Sequence, residues 1–191
     1  SGKSVKETVF VSMERRDKVE TVKSRKIAIL LEDGFDYNEV MQVKQALENA
    51  GAHTKVVSKF LGMKKSMNGE EVKTDKHHVA TGSIMYDAIY IPDGEKSIEA
   101  MMKEGDAIHF ISEAFKHGKA IATSGNGIGL LQKAGIPGVE FAGESSRNVV
   151  SDKGVVTAGN DAEAEEFAES FMDAIKKHRH WNRDEKMMVP A

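Results

Sequence analysis

The stretch KAIATSGNGIGLLQKAG, residues Lys119–Gly135, contains the pattern that decides the fold. Its apolar run Ala120–Thr123 predicts a buried strand, Ser124–Gly127 interrupts that run, and the apolar residues that follow recur at helical spacing. A strand that turns sharply into a helix at one small polar side chain presents the nucleophile in several α/β hydrolase-like folds. The stretch therefore predicts an α/β fold and makes Ser124 the first candidate for a functional residue.

The same alternation of strand and helix continues on both sides of this stretch. Apolar runs at Ile27–Leu31 and Asp87–Ile91 predict buried strands, and helical spacing follows at Val40–Ala50 and Asp106–His117. Further predicted elements are a strand at Thr54–Ser58, a hairpin turn at Met67–Gly69, a helix at Ser97–Lys103, one or two strands within Val149–Thr157 and a last helix at about Asp161–His178. Such alternation predicts a doubly wound, mainly parallel sheet with helices on both faces.

Three loops would then meet at the edge of the sheet where ligands bind. In open α/β sheets, ligands lie beyond the carboxyl ends of the strands. The loops predicted at that edge are Glu32–Glu39, Pro92–Lys96 and Ser124–Gly127. The search for a site therefore concentrates on these segments.

Composition and charge exclude several classes of function. The 191 residues are 40% hydrophobic and carry a formal net charge of -3, which suits one domain and lacks the basic bias of a nucleic-acid or membrane-surface partner. The pair Lys64–Lys65 is interpreted as solvated surface. The chain has no cysteine, which excludes disulfides, thiolate metal sites and a cysteine nucleophile but leaves the compartment open.

The chain divides into an arm, a domain and a tail. Residues 1–24 are polar and charge-dense apart from Val9–Val11, and we interpret them as an interdomain linker or arm. Residues 25–185 form the predicted α/β domain, and residues 186–191 form a tail. A start at Ser1 rather than at Met is typical of a fragment or a processed chain.

The catalytic alternatives depend on partners for Ser124. A serine hydroxyl needs a general base that a third group orients, and none of the seven histidines has the position of a triad base in this chain order. His178 and His180 are predicted at the end of the last helix, where its dipole favours positive charge, and His77–His78 is predicted to be a polar loop. No metal site is predicted.

Two other features at the edge of the sheet where ligands are expected can be interpreted in more than one way. Glu39 stands at the start of the first helix, where the dipole favours a carboxylate, and it could also point across the crevice toward Ser124. The segment Ser124–Gly129, SGNGIG, could bind a phosphate through backbone amides, but it lacks the lysine of a Walker loop and the spacing of a dinucleotide fingerprint.

Four segments together resemble a known family. They are RKIAILLEDGFDYNEVMQVKQALENAGA from Arg25, DAIYIPDG from Asp87, GDAIHFISEAFKHGKAIATSGNGIGLL from Gly105 and FMDAIKKHRHW from Phe171. From about Arg25 to Arg183 the chain resembles the C-terminal domain of large-subunit haem catalases, most closely the fungal ones. That domain is similar to class I glutamine amidotransferases, PfpI-type proteases and the Parkinsonism-associated chaperone/deglycase proteins, which implies a flavodoxin-like fold.

The resemblance also assigns roles to three positions. In the enzymatic relatives a cysteine stands at the strand-to-helix turn, a histidine is near it and a glutamate of the first helix touches it; the protease relatives carry the histidine directly after the cysteine. Those positions fall on Ser124, Gly125 and Glu39 of this chain. The glutamate is kept, the nucleophile is weakened and the base is missing, so the resemblance implies a vestigial site with no catalytic residues.

The implied function belongs to a larger protein. The resemblance implies a domain attached to a catalase core that holds the haem and decomposes hydrogen peroxide, with no cofactor in the domain itself. The implied partners are that core, the other subunits of a homotetramer and unfolded client proteins of a chaperone. The alternatives are a hydrolase or glyoxalase-like enzyme that uses Ser124 with Glu39, or a nucleotide- or flavin-binding module. The compartment stays open, cytoplasmic or secreted.

One geometric expectation tests the vestigial site. If the first helix begins near Tyr37, the side chains of Glu39 and Ser124 should lie within hydrogen-bond reach in one crevice. A hydroxyl beside a carboxylate would then form a satisfied bond that stabilises the fold after catalysis has been lost.

Overall fold

A seven-stranded sheet in the order β5-β2-β1-β6-β7-β9-β8 forms the centre of the molecule. The computed structural model describes residues 21–78 and 80–183, so most of the predicted arm and the whole tail lie outside the described residues. The strands are β1 Lys26–Leu30, β2 His53–Ser58, β3 Gly62–Lys65, β4 Glu71–Thr74, β5 Lys76–His77, β6 Ala88–Ile91, β7 Ala120–Ser124, β8 Val149–Asp152 and β9 Val155–Ala158. The helices are α1 Tyr37–Asn49, α2 Glu95–Met102, α3 Gly105–Lys116, α4 Gly127–Lys133 and α5 Ala164–Lys176, with a 3-10 turn at Ser83–Met85.

The pairing of the strands confirms the predicted fold class. All neighbours in the sheet are parallel except β8, which runs antiparallel to β9. Strands β3 and β4 form a separate antiparallel hairpin at the predicted turn. The result is a flavodoxin-like, doubly wound α/β architecture.

Helices cover both faces of the sheet and bury two cores. Helices α1 and α5 place Val43, Phe167 and Phe171 against one face. Helices α2, α3 and α4 pack against the other face, where Phe110 and Leu131 are buried. Since both faces are covered, strands β6, β7 and β9 are buried along their whole length, as their largely apolar runs predicted.

The last helix is shorter than the predicted span Asp161–His178. It begins at Ala164 because Asp161 and Ala162 form turn hydrogen bonds to Ser146 and Gly159. It ends at Lys176, and His178 adopts a left-handed backbone with φ 66°. His178 and His180 therefore lie beyond the helix, and the prediction that they sit at its end is wrong.

Two surface predictions are also wrong. The predicted polar loop is not one, because His77 ends β5 and His78 is buried with its ring packed edge-on against Phe110. The Lys64 side chain is only 12% exposed, and its ammonium lies 3.2 Å from Glu32. No helix within residues 21–78 and 80–183 is long and apolar enough to cross a membrane.

Candidate functional site

The three predicted loops meet at the carboxyl edge of the sheet. The loop after β1 joins the loop after β6 through the Asp36 amide, which donates to the Asp93 carbonyl at 2.9 Å. The turn after β7 joins the same loop through the Asn126 amide, which donates to the Asp93 carboxylate at 3.0 Å. Asp93 therefore connects all three loops.

Glu39 projects from the first turn of α1 into this junction. Asp36 caps the helix by accepting a hydrogen bond from the Glu39 amide, which fixes the start of α1 at the predicted place. The Glu39 carboxylate accepts three hydrogen bonds, from the Ser124 hydroxyl, from the Tyr90 hydroxyl at 2.7 Å and from the Asp93 amide at 3.0 Å. The expected contact between Glu39 and Ser124 is thus present.

Burial dominates the electrostatics of this carboxylate. Desolvation raises the pKa of Glu39 to about 7, although the hydrogen bonds from Ser124, Asp93 and Tyr90 favour the ionised form. Burial and the neighbouring Glu39 charge raise the pKa of the Tyr90 hydroxyl well above its ordinary value, so Tyr90 stays a donor. The site holds a carboxyl group that titrates near neutral pH.

A second carboxylate occupies the space beside the turn. The Asp93 side chain accepts from the Gly94 amide at 2.7 Å, from the Asn126 amide at 3.0 Å and from the Asn126 side chain at 3.1 Å. A Cβ atom on Gly125 would lie 2.1 Å from the Asp93 carboxylate, and Gly125 has a φ of 51°. A larger side chain at this position, such as a histidine, would clash with Asp93 in this arrangement.

Two backbone amides of the turn, those of Gly125 and Asn126, already have protein partners. The Gly125 amide donates to the Ala158 carbonyl at 2.9 Å, and the Asn126 amide donates to Asp93. An oxyanion hole or a phosphate site needs such amides to point at the ligand. Here a protein carbonyl and a protein carboxylate accept from them, which argues against both uses.

None of the seven histidines forms a hydrogen bond with Ser124, all seven being within the described residues. His180 contacts the Ala174 carbonyl at 2.8 Å, and His178 contacts Arg25 at 2.7 Å. His117 lies 3.5 Å from Glu113 on α3. The Ser124 hydroxyl donates instead to Glu39, so no base that a third residue orients is in place.

A cluster of charged residues near the end of β1 was not predicted. The Glu32 carboxylate accepts from the Lys59 amide at 2.8 Å and lies 3.2 Å from the Lys64 ammonium and 3.8 Å from the His78 ring. Burial opposes its ionisation, but His78, the Lys59 amide and Lys64 together hold the pKa of Glu32 below its ordinary value. The sequence could not reveal this cluster because the hairpin that carries Lys64 folds back over Glu32.

Within residues 21–78 and 80–183, no group of three or more His, Cys, Asp or Glu side chains is arranged to hold a metal ion. Glu39 and Asp93 are adjacent carboxylates, but protein donors fill their coordination space.

Sequence comparison identifies the family. The family described as the C-terminal domain found in long catalases matches residues 23–185. The chain belongs to this family. It is 35% identical over 167 residues to Catalase HPII of Mycobacterium avium, covering 86% of this chain and 23% of that protein. It is 33% identical over 178 residues to Catalase-1 of Neurospora crassa, covering 86% of this chain and 24% of that protein.

The relatives are much longer than this chain. Catalase-2 of Bacillus subtilis is 32% identical over 165 residues, covering 86% of this chain and 22% of that protein. The chain thus spans less than a quarter of each of the curated relatives named here. Bacterial and fungal proteins both match, so a fungal origin stays a prediction.

Solved structures of ThiJ/PfpI and DJ-1 proteins share this fold. The ThiJ/PfpI domain protein of Brachyspira murdochii has a TM-score of 0.73 and 20% identity, and the alignment covers 81% of this chain and 98% of that chain. Oxidised DJ-1 of Toxoplasma gondii has a TM-score of 0.70 and 22% identity, with 81% and 95% covered. At such identities the likeness establishes the fold alone.

Proposed function

We propose that this C-terminal catalase domain carries no chemistry of its own and stabilises the oligomer of a long, peroxide-decomposing catalase. The hydrogen bond from Ser124 to Glu39 is the observation that carries this proposal. It joins the former nucleophile position to the retained acid, and the hydroxyl has this buried carboxylate as its partner rather than a histidine that a third group orients. The site then serves as a structural junction of three loops.

The second carboxylate supports the same proposal. Asp93 lies where a catalytic histidine would project and accepts from the Asn126 amide that an oxyanion or a phosphate would use. Restoring catalysis would therefore require more than a thiol at position 124. A hydrolase or glyoxalase that uses Ser124 with Glu39, and a phosphate-binding flavin or nucleotide module, are both disfavoured by this packing.

The proposal assigns haem and peroxide chemistry to the part of the parent protein that precedes this domain. His78 is buried beside a crevice of about 310 Å³ that Asp106 and Glu113 also line. Charged walls of this kind do not suit the large apolar face of a haem. His180 is also buried, and its ring already contacts the Ala174 carbonyl. The surroundings of these two histidines support a haem in the preceding part of the parent protein rather than in this domain.

The proposal also gives the domain a chaperone-like activity toward unfolded clients. The segment around the β3–β4 hairpin exposes four large apolar side chains, with exposed fractions between 53% and 65%: Phe60, Leu61, Met63 and Met67. Exposed apolar clusters of this kind bind other apolar surfaces. The test is light scattering of a heat-aggregating client with this chain and with its Phe60→Ser/Leu61→Ser variant. Suppression only by the unsubstituted chain is expected, and equal scattering with and without the chain would reject a chaperone activity.

Assembly of the parent protein tests the stabilising role. Sedimentation velocity at rising temperature would compare the long catalase with a version that ends before residue 21. We expect the shortened protein to dissociate at a lower temperature. Turnover of ester, peptide or methylglyoxal substrates by this chain, lost in Ser124→Ala, would instead reinstate the enzymatic alternative.

A further inference from the structure

A cavity lies at the amino end of the sheet, opposite the site described above. Its volume is about 680 Å³, and its walls include Lys26, Lys55, Lys76, Met85 and Tyr86. Proteins bind small molecules in concave sites of about 300–1,000 Å³ that combine an apolar surface with a few polar groups. The size and the lining of this cavity both fit that description.

Strand register places the three lysines of the cavity on one face of the sheet. Ala28 and Val57 belong to the core that α2, α3 and α4 cover. Lys55 is the register partner of Ala28, and Lys26 precedes Ala28 by two residues in β1. Lys76 is the register partner of Val57. Register partners and residues two apart share a face of a sheet, so all three side chains leave the sheet on the side of that core.

The ammonium groups of these lysines lack acidic partners. The three residues are exposed, and none of them forms an ion pair with a carboxylate within residues 21–78 and 80–183. Glu48 also lines the cavity, but its carboxylate accepts from the Thr54 hydroxyl at 2.7 Å and lies 3.9 Å from the Lys44 ammonium. The walls therefore carry an excess of positive charge, which attracts anions.

Another wall of the cavity is apolar. The Tyr86 side chain is buried, its ring centre lies 5.9 Å from that of Phe110, and its hydroxyl accepts from the Thr81 hydroxyl at 3.1 Å. These contacts hold the ring in place. Met85 is 57% exposed beside it, and the flexible thioether of a methionine adapts to the shape of an apolar ligand. The cavity thus combines an apolar surface with three cationic groups.

We propose that this cavity binds a small amphipathic anion, in which an oxyanion head such as a carboxylate is joined to an apolar chain or ring. The head contacts the lysine ammonium groups, and the apolar part covers Met85 and Tyr86. An anion without the apolar part would gain only charge contacts that solvent screens. A neutral apolar molecule would gain nothing from the lysines. Both parts of the ligand are therefore needed for tight binding.

NMR titration of the full 191-residue chain with octanoate tests this inference. Acetate supplies the head alone, and octanamide supplies the apolar chain with an uncharged head. We expect octanoate to bind at least about tenfold more tightly than either, because two or three screened charge contacts together contribute about one decade of affinity. The backbone amide signals of Lys55, Lys76 and Tyr86 should shift with octanoate.

Substitutions separate the two parts of the site. Lys55→Gln/Lys76→Gln removes two charges at exposed positions, so the affinity for octanoate should fall to nearly that for octanamide. Lys133→Gln is the matched control, because Lys133 is exposed on α4 and does not line the cavity. Met85→Ser removes part of the apolar wall, so it should weaken the binding of octanoate and of octanamide alike.

Three outcomes would overturn the inference. The first is the absence of saturable octanoate binding. The second is equal affinity for octanoate and octanamide, which would show that the lysines do not recognise the head. The third is equal octanoate affinity in the double lysine variant and in Lys133→Gln, which would place the bound anion elsewhere on the chain. None of these outcomes bears on whether the domain stabilises the catalase oligomer.

Discussion

The buried carboxylate oxygens of Glu39 accept hydrogen bonds from three donors. Tyr90 and the Asp93 amide donate to one carboxylate oxygen, and Ser124 donates to the other. A buried acceptor that loses a donor keeps its desolvation penalty, so each of these donors stabilises the folded state. These donors support the proposal that Glu39 is retained for stability rather than for catalysis.

Removal of the Ser124 hydroxyl should lower stability modestly. We expect Ser124→Ala to reduce the free energy of unfolding at pH 8 by roughly 1.5–3 kcal/mol, because the lost hydrogen bond ends on a charged group. Denaturant unfolding measures the change, with the exposed Ser151→Ala as the matched control. Peroxide decomposition by a long catalase with the same substitution should be unchanged, and a loss of it would contradict a structural role.

The raised pKa of Glu39 makes stability depend on pH. Between its ordinary value of 4.5 and about 7, the folded state holds a proton that the unfolded state releases. The stabilisation by this proton is complete below pH 4.5 and is lost as the pH rises through 7. Relative to Glu39→Gln, the unsubstituted chain should lose up to about 3 kcal/mol between pH 5 and pH 8. Parallel pH profiles of the two proteins would show that Glu39 titrates normally.

Sequence reasoning could predict the Glu39 pair but not what surrounds it. Glu39 lies in the first turn of a helix that follows a predicted strand, and Ser124 follows an apolar run that also predicts a strand. Both side chains were therefore expected at the carboxyl edge of the sheet. Asp93 could not be assigned, because its role depends on the Gly125 backbone conformation. Tyr90 could not be assigned either, because a tyrosine inside an apolar strand has the same sequence pattern as a core residue.

Among the elements, the turn from β7 to α4 shows the tightest fit. Gly125 has a left-handed backbone and the Asp93 carboxylate at its side, and a Cβ on Gly127 would lie 1.8 Å from the Thr123 hydroxyl oxygen. That hydroxyl donates to the Ile91 carbonyl at 2.8 Å. The glycines of this turn are therefore required by packing, which explains their spacing without a bound phosphate.

A double-mutant cycle separates packing from backbone strain at this turn. Gly125→Ala should lower the free energy of unfolding by at least about 2 kcal/mol, and by only about 1 kcal/mol when Asp93 is also Ala, because the strained backbone alone remains. Gly69→Ala is the matched control, since Gly69 has a φ of 95° and open space around it. If Gly125→Ala lowers the free energy of unfolding by the same amount with and without the Asp93 side chain, the carboxylate does not fill the space that the new Cβ atom would occupy.

The segment after α5 is fixed to the domain by Arg183. Its guanidinium donates to the carbonyls of Phe115 at 2.5 Å, Lys119 at 2.8 Å and Lys153 at 3.0 Å, and it lies 4.3 Å from the centre of the Phe115 ring. Burial lowers the pKa of Arg183 to about 10, which still leaves it charged at neutral pH. Helical periodicity stops before this segment, so the sequence pattern did not predict the contact.

Replacement of this arginine should be costly. Arg183→Met keeps much of the aliphatic volume but removes one charged donor from each of three carbonyls, so we expect a loss of roughly 2–4 kcal/mol in the free energy of unfolding. Thermal unfolding measures it, and Arg147→Met, at an exposed position, should change stability by less than about 0.5 kcal/mol. A similar small effect for both would show that the segment after α5 contributes little.

At the scale of the whole molecule, the fold was the most predictable feature. Continuous apolar strands alternating with amphipathic helices allow few arrangements other than a covered parallel sheet. The packing of the β3–β4 hairpin over Glu32 was not predictable, because it depends on the contact between Lys64 and Glu32 rather than on periodicity. Function was predictable only through family resemblance, since the same fold hosts many activities.

The half-life of peroxide decomposition at elevated temperature tests the central claim most directly. The long catalase would be compared with a version that lacks this domain and with a full-length version that carries Ser124→Ala. We expect the truncated protein to inactivate several-fold faster, while the Ser124→Ala protein keeps the initial rate of the unsubstituted enzyme. Equal half-lives of the full-length and truncated proteins would contradict the claim that the domain stabilises the oligomer.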